Sequence, residues 1–323
     1  MGEFELIDEL FAPLATHPGA LGLTDDASVF SIPEGFEAVV TKDVMVEGVH
    51  FLEGTDPARV AQKLLRVNLS DLAAMGADPM GYWLGVQLRK AGAREWLSAF
   101  VEGLGRDQRE FGISLMGGDT VSTPGPIALS LTAMGAVPSG AALRRSGAKV
   151  GDKIFVTGTI GDGVLGLRAA KGEMPDLDGA DREYLVRRLE RPTPRLDLGR
   201  ALRGLASAAI DISDGLAADA GHVAGASNAC LTIDAEAVPL SDAARRMLAK
   251  DLTTLEELLS GGDDYELLFT APAAQAGEVA KLAADVPVTA IGEVTAGEGV
   301  QVTRNGAPLS FPKGRASGGF SHF

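Results

Sequence analysis

The stretch TDPARVAQKLLRVNLSDLAAMGADP, residues 55–79, predicts one long helix with clear signals at both ends. Asp56 is a residue type that favours the N-cap position, and Pro57 suits the first helical turn. Gly76 followed by Pro79 predicts where the helix ends, because glycine favours the C-terminal cap and proline cannot continue the helix. This helix is the strongest secondary-structure signal in the N-terminal half.

The same helix carries polar groups on a face that otherwise looks buried. Spacings of three and four place Leu64, Asn68, Asp71 and Met75 on one stripe. An amide and a carboxylate therefore interrupt an apolar surface, and buried polar groups need partners because an unsatisfied one costs free energy. Asn68 and Asp71 are candidate site residues for this reason.

Strand patterns flank this helix along the first half of the chain. EAVVTKDV, YWLGVQLR, ISLMGGD and PIALSLTAMGAV read as strands, and REWLSAFVEGLGRDQREFG reads as an amphipathic helix. The segment VPSGAALRRSGAKVGDK is typical of a crossing between domains. We therefore expect an N-terminal α/β domain over residues 1–145 and a second domain over residues 146–323.

The second half also alternates strands with helices. KIFVTG, AAIDIS, CLTIDA, DYELLFTAP, VTAIGEV and GVQVT read as strands, with helices predicted from about Asp162, from Asp214 and through ADREYLVRRLERPTPRLDLGRALRGLA. Asn305-Gly306 predicts a late hairpin turn. The expected fold class is α/β (α+β), with mixed sheets packed with helices.

Composition narrows the possible functions. The chain has 323 residues, a formal charge of −15 and one cysteine, Cys230, which rules out an internal disulfide and a cage of thiolate metal ligands. A surface this acidic repels nucleic acid and anionic membranes, so neither is an expected partner. No apolar run reaches the length of a membrane helix, and the opening MGEFELIDEL lacks the pattern of a secretory signal, so we expect a cytoplasmic location.

Several common motifs are missing or incomplete. GDGVLG, residues 161–166, fits the glycine spacing of a dinucleotide fold, but the acid expected about 20 residues later is replaced by the helical pattern DREYLVRRL. A tight turn from strand to helix explains these glycines equally well. The chain contains no phosphate loop of the Walker type, no serine elbow and no HExxH zinc motif.

Acids recur at predicted strand ends and on turns rich in Gly, Ser or Thr. They are Asp26, Asp43, Asp71, Asp119, Asp211, Asp214, Asp263 and Asp264. Each alone is typical of a cap or turn, but carboxylates gathered in one cleft need cations, and hard oxygen ligands suit Mg²⁺. Several such ions indicate a polyphosphate substrate. The glycines of GGDT and the amides of the helix after ISDG could contact phosphate, so phosphoryl transfer is the predicted reaction class.

In their order along the chain, these segments resemble the thiamine-monophosphate kinases, a family of the superfamily that includes aminoimidazole ribonucleotide synthetase. The matching segments include DDAS, EGVHF, NLSDLAAMGADP, GGDT, RSGAKVGD, VTGTIGDG, IDISDGL and GGDDYEL. The resemblance implies the two-domain fold of this superfamily and a homodimer formed through the N-terminal domains. It also implies several Mg²⁺ ions and transfer of the γ-phosphoryl group of ATP onto thiamine monophosphate. A requirement for K⁺ stays open.

The resemblance assigns expected roles residue by residue. The implied metal ligands are Asp26, Thr41, Asp43, Asp71, Asp119, Asp211 and Asp214. The implied ATP contacts are Gly118, Asp119, Arg145 and Ser213, and the implied substrate contacts are His50, Asp263 and Phe320. Asp43, Asp71 and Asp119 are the expected catalytic set, whereas Asp25 is expected to shape its turn.

Two departures from the family pattern and three alternatives accompany this assignment. Lys42 stands where the family carries a small hydroxyl residue, and Phe320 stands near a Trp or Tyr position. Selenophosphate synthetase is excluded because no Cys precedes the first Asp cluster. Aminoimidazole ribonucleotide synthetase and a catalytically silent ATP-binding protein stay open as weaker alternatives.

Overall fold

The chain divides into two compact units. The computed structural model describes residues 3–282 and 286–311. One unit comprises the chain up to Leu72 together with Ala77–Gly140, and the other comprises Ala73–Gly76 and the chain from Ala141 onward. The boundary at residue 145 proposed from the sequence falls five residues after Gly140, in a segment without helix or strand.

The N-terminal unit contains a four-stranded sheet. Its helices and strands are α1 (Glu3–Leu6), β1 (Phe36–Val46), α2 (Pro57–Ala74), β2 (Asp78–Leu88), α3 (Ala93–Phe111), β3 (Ser114–Ser122) and β4 (Ala128–Pro138). The strand order is β1-β4-β2-β3, so β1 and β3 form the two edges. Only β2 and β3 are parallel, because α3 crosses between them, and the other pairs are antiparallel.

One face of this sheet holds the helices. Thr41 on β1 and Tyr82 on β2 both pair with Ala133 on β4, so their side chains point to the same side. Thr41 donates a hydrogen bond to Asp71 on α2, and the Tyr82 hydroxyl donates to Gln108 on α3 at 2.7 Å. Because side chains alternate along a strand, Asp43 shares this helix-covered face with Thr41.

The other face of the sheet is partly exposed. Val40 and Val44 on β1 are 61% and 49% exposed, and Val121 on β3 is 44% exposed. Lys42 lies between the two valines and therefore points away from Thr41 and Asp43. Near β3, residues of the N-terminal segment approach this face, where the indole nitrogen of Trp83 donates to the Ser28 hydroxyl at 2.9 Å.

The C-terminal unit contains a seven-stranded mixed sheet with the order β11-β10-β7-β9-β5-β8-β6. Its helices and strands are β5 (Asp152–Thr157), α4 (Asp162–Ala170), α5 (Gly179–Glu190), α6 (Leu196–Ala201), β6 (Ala208–Asp211), α7 (Leu216–Ser227), β7 (Cys230–Asp234), α8 (Asp242–Ala249), α9 (Leu255–Ser260), β8 (Leu267–Pro272), α10 (Ala276–Lys281), β9 (Val288–Thr295), β10 (Gly299–Arg304) and β11 (Ala307–Pro308). An apolar core between α7 and the sheet includes Ile210, Leu216 and Leu231.

Most of the predicted local structure is confirmed. Helix α2 begins at Pro57, the Asp56 carboxylate accepts from the Ala58 amide at 3.0 Å, and Gly76 adopts a positive φ of 66°. Both predicted domains contain mixed α/β structure. Two of the strands differ clearly from the prediction: β6 ends at Asp211, two residues before the end of AAIDIS, and β8 begins at Leu267, so the acidic part of DYELLFTAP lies outside it.

Among residues 3–282 and 286–311, none of the helices combines the length and the apolar character needed to span a membrane.

Candidate functional site

A pair of carboxylates lies between β1 and α2 in the N-terminal unit. Asp43 points from the helix-covered face of β1, and Asp71 on α2 accepts a hydrogen bond from the Thr41 hydroxyl. Burial, followed by the charge of Asp71, raises the pKa of Asp43 to about 7. Such a rise means that the ionised form is costly here unless a cation compensates the charge. The predicted residues Thr41, Asp43 and Asp71 are therefore brought together.

Asn68 lies one turn before Asp71 on α2 and is fully buried. Its side-chain nitrogen donates to the Leu64 carbonyl at 2.9 Å, whereas its Oδ1 atom has no hydrogen-bond partner in the described structure. A buried carbonyl oxygen without a partner costs about 1–3 kcal/mol. Because amide oxygens also bind hard cations, this atom adds a potential ligand on the helix that carries Asp71.

A cavity of about 630 Å³ opens beside β2 and β3 in the same unit. Its polar wall includes Asp25, Asp26 and Asp119, together with the backbone of Gly117 and Gly118. Its apolar wall includes Phe11, Phe30 and Trp83, and the rings of Phe30 and Trp83 lie 5.6 Å apart between centroids. The cavity therefore combines acids and glycine backbone with aromatic surface, as a nucleotide or another aromatic phosphate ester would require.

The glycines of GGDT allow a close approach of the backbone. A Cβ atom added to Gly118 would meet the Leu84 carbonyl oxygen at 2.2 Å, so no other residue fits without movement. Asp119 follows and is exposed at the edge strand β3. It pairs with Gly85, and this cross-strand row continues through Ser130 to Val44 on the partly exposed face. Asp119 thus joins Asp26, but it does not join Asp43 within one chain.

His50 follows β1 in the same unit. Its Nδ1 atom accepts a hydrogen bond from the Val46 amide at 3.0 Å, which leaves the proton of a neutral ring on Nε2. The ammonium group of Lys63 on α2 donates to the His50 carbonyl at 3.3 Å. These contacts fix the backbone and ring of His50 close to the strand that carries Thr41 and Asp43.

The acids of IDISDG lie at the end of β6 in the C-terminal unit. Asp211 is the last residue of the strand and is buried, whereas Ser213 and Asp214 are half-buried in the turn before α7. The sequence predicted that the amides of the helix after ISDG could contact phosphate. In the turn before that helix, Asp219 Oδ2 accepts from the amides of Ser213, Asp214 and Gly215 at 3.0–3.1 Å. A buried carboxyl group one turn into α7 therefore occupies the amides of the turn, and a phosphate contact by the helix amides stays a prediction.

Asp219 is a residue that the sequence did not single out. Burial, followed by the charge of Asp214, raises its pKa to about 7, although the three backbone bonds oppose the rise. His222 is exposed on the next turn of α7, and ligand atoms of Asp214, Asp219 and His222 all lie within 4.8 Å of one another. The sequence signal that could have identified these residues was the spacing of three between Asp219 and His222, which places them on one helix face.

The segment GGDDYE, residues 261–266, lies between α9 and β8 in the same unit. The Asp263 amide donates to the Ser213 carbonyl at 2.9 Å, so the structure brings the two predicted segments IDISDG and GGDDYE together. Asp264 is fully buried, and its carboxylate accepts from the amides of Gly161 and Gly163 at 2.8 and 3.0 Å. These two bonds occupy the start of α4, where the phosphates of a dinucleotide would have to bind.

Arg145 and Phe320 are the remaining predicted site residues. Arg145 is exposed in the segment before β5, where its carbonyl accepts from the Ser227 hydroxyl at 3.2 Å. Phe320 lies outside the described residues. Within the N-terminal unit, Asp43 lies with Asp71 and Asp26 lies with Asp119, and the predicted acids Asp211, Asp214 and Asp263 belong to the C-terminal unit.

Family models cover both units. The model for AIR synthase related protein, N-terminal domain, matches residues 24–137, and the model for the C-terminal domain of the same family matches residues 149–305. Among curated relatives, thiamine-monophosphate kinase from Caulobacter vibrioides is 46% identical over 314 residues, which cover 95% of this chain and 88% of the relative. The same enzyme from Escherichia coli K12 is 44% identical over 315 residues, which cover 96% of this chain and 95% of the relative.

Solved structures give a consistent comparison. Thiamine-monophosphate kinase from Stenotrophomonas maltophilia aligns with a TM-score of 0.85 at 43% identity, covering 96% of this chain and 98% of the other. AaThiL complexed with AMPPCP and TMP aligns with a TM-score of 0.79 at 32% identity, and the alignment covers 100% of this chain and 97% of the other. The hydrogenase maturation protein HypE aligns at 19% identity and shows a common fold alone.

Proposed function

The chain belongs to the AIR synthase related family and, within it, to the thiamine-monophosphate kinases, and we propose on this premise how its residues carry out the reaction. It transfers the γ-phosphoryl group of ATP to thiamine monophosphate and forms thiamine diphosphate. The transfer is direct and in line, it is assisted by Mg²⁺, and it takes place in the cytosol, where ATP is available. The single observation that carries this mechanism is the carboxylate pair of Asp43 and Asp71, with Thr41 bonded to Asp71.

The donor atoms around this pair fit Mg²⁺. Asp43 bears a raised pKa because its ionised form is buried next to Asp71, and the buried Asn68 oxygen has no partner. Both features indicate a site whose charge and hydrogen-bonding capacity are completed by a hard cation. When bound, Mg²⁺ would neutralise charge on the phosphate oxygens of both substrates. Thr41, Asp43 and Asp71 would hold it, with Asp26, Asp119, Asp211 and Asp214 as further ligands.

The cavity beside β3 supports a role in ATP binding. Gly117 and Gly118 line this cavity, and Gly118 packs so closely against the Leu84 carbonyl of β2 that a Cβ atom would lie 2.2 Å from it. Asp119 and Asp26 share the cavity wall, so they could contact the ions that accompany a triphosphate. Arg145 and Ser213 are proposed to contribute further ATP contacts from the C-terminal unit.

The acceptor needs orientation more than activation. The attacking atom is a phosphate oxygen that is already anionic, so no strong general base is required. His50 carries its ring proton on Nε2, because Nδ1 accepts from the Val46 amide, and it is proposed to position the substrate as a donor. Asp263 and Phe320 are proposed as the remaining substrate contacts. When both substrates are held in the reacting geometry, the activation free energy falls, because the reaction no longer depends on a bimolecular encounter.

The exposed sheet face supports a homodimer formed through the N-terminal units. Val40 and Val44 lie on the edge strand β1, and Val121 lies on the opposite edge strand β3. An exposed edge strand with apolar side chains offers unpaired backbone groups to another strand. A second copy could cover this apolar surface and place β3 of one chain next to β1 of the other. This arrangement would bring the strands that carry the proposed ligands Asp43 and Asp119 next to each other across two chains.

The experiment measures ADP formation with purified protein. ATP alone should give little ADP, addition of thiamine monophosphate should start turnover, and removal of Mg²⁺ with a chelator should stop it. Thiamine should be a very poor acceptor because the attacking phosphate oxygen is absent. With γ-labelled ATP, label should appear in thiamine diphosphate and not on the protein. ATP binding without any turnover would instead support the silent ATP-binding alternative.

A further inference from the structure

Two residues of GGDDYE, one of them the proposed substrate contact Asp263, have an unusual backbone conformation. Asp263 has a φ of 69° and Tyr265 has a φ of 51°, although neither is glycine. Side chains other than glycine rarely adopt this left-handed region, and each instance costs roughly 1 kcal/mol or more. Strained residues persist only where the surrounding structure holds them, and such residues cluster at functional sites.

Backbone hydrogen bonds hold this segment against the end of β6. The Asp263 amide donates to the Ser213 carbonyl at 2.9 Å, and the Tyr265 amide donates to the Ile212 carbonyl at 2.8 Å. On the other side, a Cβ atom added to Gly163 would lie 2.5 Å from the Asp263 carbonyl. The backbone at Asp263 therefore has no room to change its conformation independently.

Alternate side chains of the segment point into the protein and are bonded there. Asp264 accepts from two amides at the start of α4, as described above. Glu266 is fully buried and accepts from Arg188 at 2.9 Å, from Arg195 at 2.7 Å and from the Thr157 hydroxyl at 2.6 Å. Arg188 also donates to the Asp264 carbonyl at 3.1 Å. These bonds hold the segment to the interior of the C-terminal unit.

The remaining two side chains stay partly exposed and contact each other. The Tyr265 hydroxyl donates to Asp263 Oδ1 at 3.0 Å, and both residues are half-buried. A hydrogen bond from a fixed tyrosine restricts the rotation of the carboxylate and determines the direction in which it presents its oxygens. The buried anchor, the strained backbone and this bond together define the orientation of Asp263.

We propose that Tyr265 is a positioning residue that holds the Asp263 carboxylate toward the amino-bearing, cationic ring system of the acceptor substrate. This role rests on the proposed function, in which Asp263 contacts thiamine monophosphate. A carboxylate suits this partner because thiamine carries a positive thiazolium ring and an aminopyrimidine with N–H donors. Tyr265 acts through Asp263 and touches no reacting atom, so its loss affects binding of the acceptor and leaves phosphoryl transfer intact.

The test replaces Tyr265 by Phe, which keeps the ring and removes the hydroxyl. We expect KM for thiamine monophosphate to rise about tenfold, with kcat and the KM for ATP changed less than about twofold. Tyr184→Phe is the matched control, because the Tyr184 hydroxyl also donates to a carboxylate, that of Asp162, at 2.8 Å. This control should leave KM for thiamine monophosphate unchanged, and thermal unfolding should show that both variants are folded.

A double-mutant cycle separates positioning from a general loss of structure. In the background of Asp263→Asn, the change Tyr265→Phe should add almost nothing to KM, because the group it positions is already altered. Equal effects of Tyr265→Phe in both backgrounds would overturn the role, as would an unchanged KM in the single variant.

Binding measurements distinguish this proposal from the proposed function. Calorimetry with thiamine monophosphate and a non-hydrolysable ATP analogue should show weaker acceptor binding by Tyr265→Phe. If wild-type protein turns over thiamine monophosphate but the wild-type protein and the Tyr265→Phe variant bind it equally, only the role of Tyr265 is overturned. If wild-type protein neither binds nor converts it, the function and this role fall together.

Discussion

Asp43 shows how one residue links stability to function. Its pKa of about 7 in the folded chain lies well above the value of 3.8 expected for an unperturbed Asp, because the carboxylate is buried beside Asp71. The folded protein therefore binds more protons than the unfolded chain between these two values. The stability that this group contributes is present at low pH and is lost as the pH rises through about 7. In the absence of Mg²⁺, the ionised carboxylate is thus a source of instability.

Replacement of Asp43 by Asn should stabilise the metal-free protein and nearly abolish activity. At pH 8 the free energy of unfolding should rise by about 1–3 kcal/mol, because a neutral amide replaces a buried charge. Turnover should fall by roughly 10³-fold or more because a proposed Mg²⁺ ligand is lost. Urea unfolding with a chelator, at pH 6 and pH 8, measures the first effect, and ADP formation measures the second.

The neighbouring Asp25→Asn provides the control for this residue. Asp25 is exposed and is expected to shape its turn, so both stability and turnover should change little. A metal-free Asp43→Asn protein that is less stable than wild type at pH 8 would contradict the burial argument. Activity close to wild type would remove Asp43 from the proposed site.

Asn68 allows a second test at the scale of single residues. Its buried Oδ1 atom has no partner in the described structure, which is costly unless a ligand supplies one. Asn68→Ala should leave metal-free stability within about 1 kcal/mol, because the lost packing and the removed orphan atom offset each other. The Mg²⁺ concentration for half-maximal activity should rise several-fold. A metal titration of activity that superimposes on that of wild type would mark Asn68 as purely structural.

At the scale of elements, buried carboxylates fill the starts of two helices in the C-terminal unit. Asp264 bonds two amides at the start of α4, and Asp219 bonds three amides before α7. A helix N-terminus attracts anions because its first amides lack partners within the helix. Here the chain supplies carboxyl groups of its own, and burial raises the pKa of Asp264 to about 8 and that of Asp219 to about 7. The glycines of GDGVLG and ISDG also pack closely against other segments. A phosphate at these five amides would have to displace a carboxyl group.

Removal of the Asp219 carboxylate should therefore loosen the turn before α7. Asp219→Ala should lower the free energy of unfolding by about 2–4 kcal/mol, because three amides, one buried and two part-buried, lose their acceptor. The KM for ATP should rise as well, since Ser213 lies in this turn. Asp219→Asn is the matched control, because an amide oxygen can still accept and the raised pKa shows that the charge itself is costly. Urea unfolding curves that place both variants at the same stability would contradict this account.

At the scale of the whole molecule, the sheet of the N-terminal unit separates acids that are expected to act together. Asp43 lies on β1 and Asp119 lies on β3, the two edges of the order β1-β4-β2-β3. Three strand spacings separate these edges by roughly 14 Å, which is too far for two ligands of one ion. A dimer that joins β1 of one copy to β3 of another would remove this separation.

Complementation between two inactive variants tests this arrangement. Asp43→Asn and Asp119→Asn should each be inactive alone, but mixed dimers would contain one intact site of two. After unfolding and refolding together, the mixture should recover about a quarter of wild-type activity, since half of the dimers are mixed. Each variant refolded alone is the control. Sedimentation should show a dimer, and Val44→Glu should shift it to monomer. No recovery in a mixture that sediments as dimers would contradict a shared site.

The local sequence determined much of the architecture. Helix α2 follows from Asp56, Pro57 and Gly76, because caps and turns act over only a few residues. The strands follow from alternation, and the nature of the acids predicted phosphoryl transfer with hard cations. The ordered motifs also identified the family. These features depend on short spacings along the chain, which a sequence states directly.

Only the tertiary structure decided which groups meet. Thr41 reaches Asp71 because the register of β1 with β4 turns both Thr41 and Asp43 toward α2, while Lys42 faces the opposite side. Asp219, the orphan oxygen of Asn68 and the bond from Tyr265 to Asp263 likewise depend on packing between segments. Burial raises the pKa of a carboxyl group, and a carboxylate can accept from the amides at the start of a helix; both effects depend on which groups are close in space. The groups that meet are separated along the chain, so no local sequence pattern could have specified these contacts.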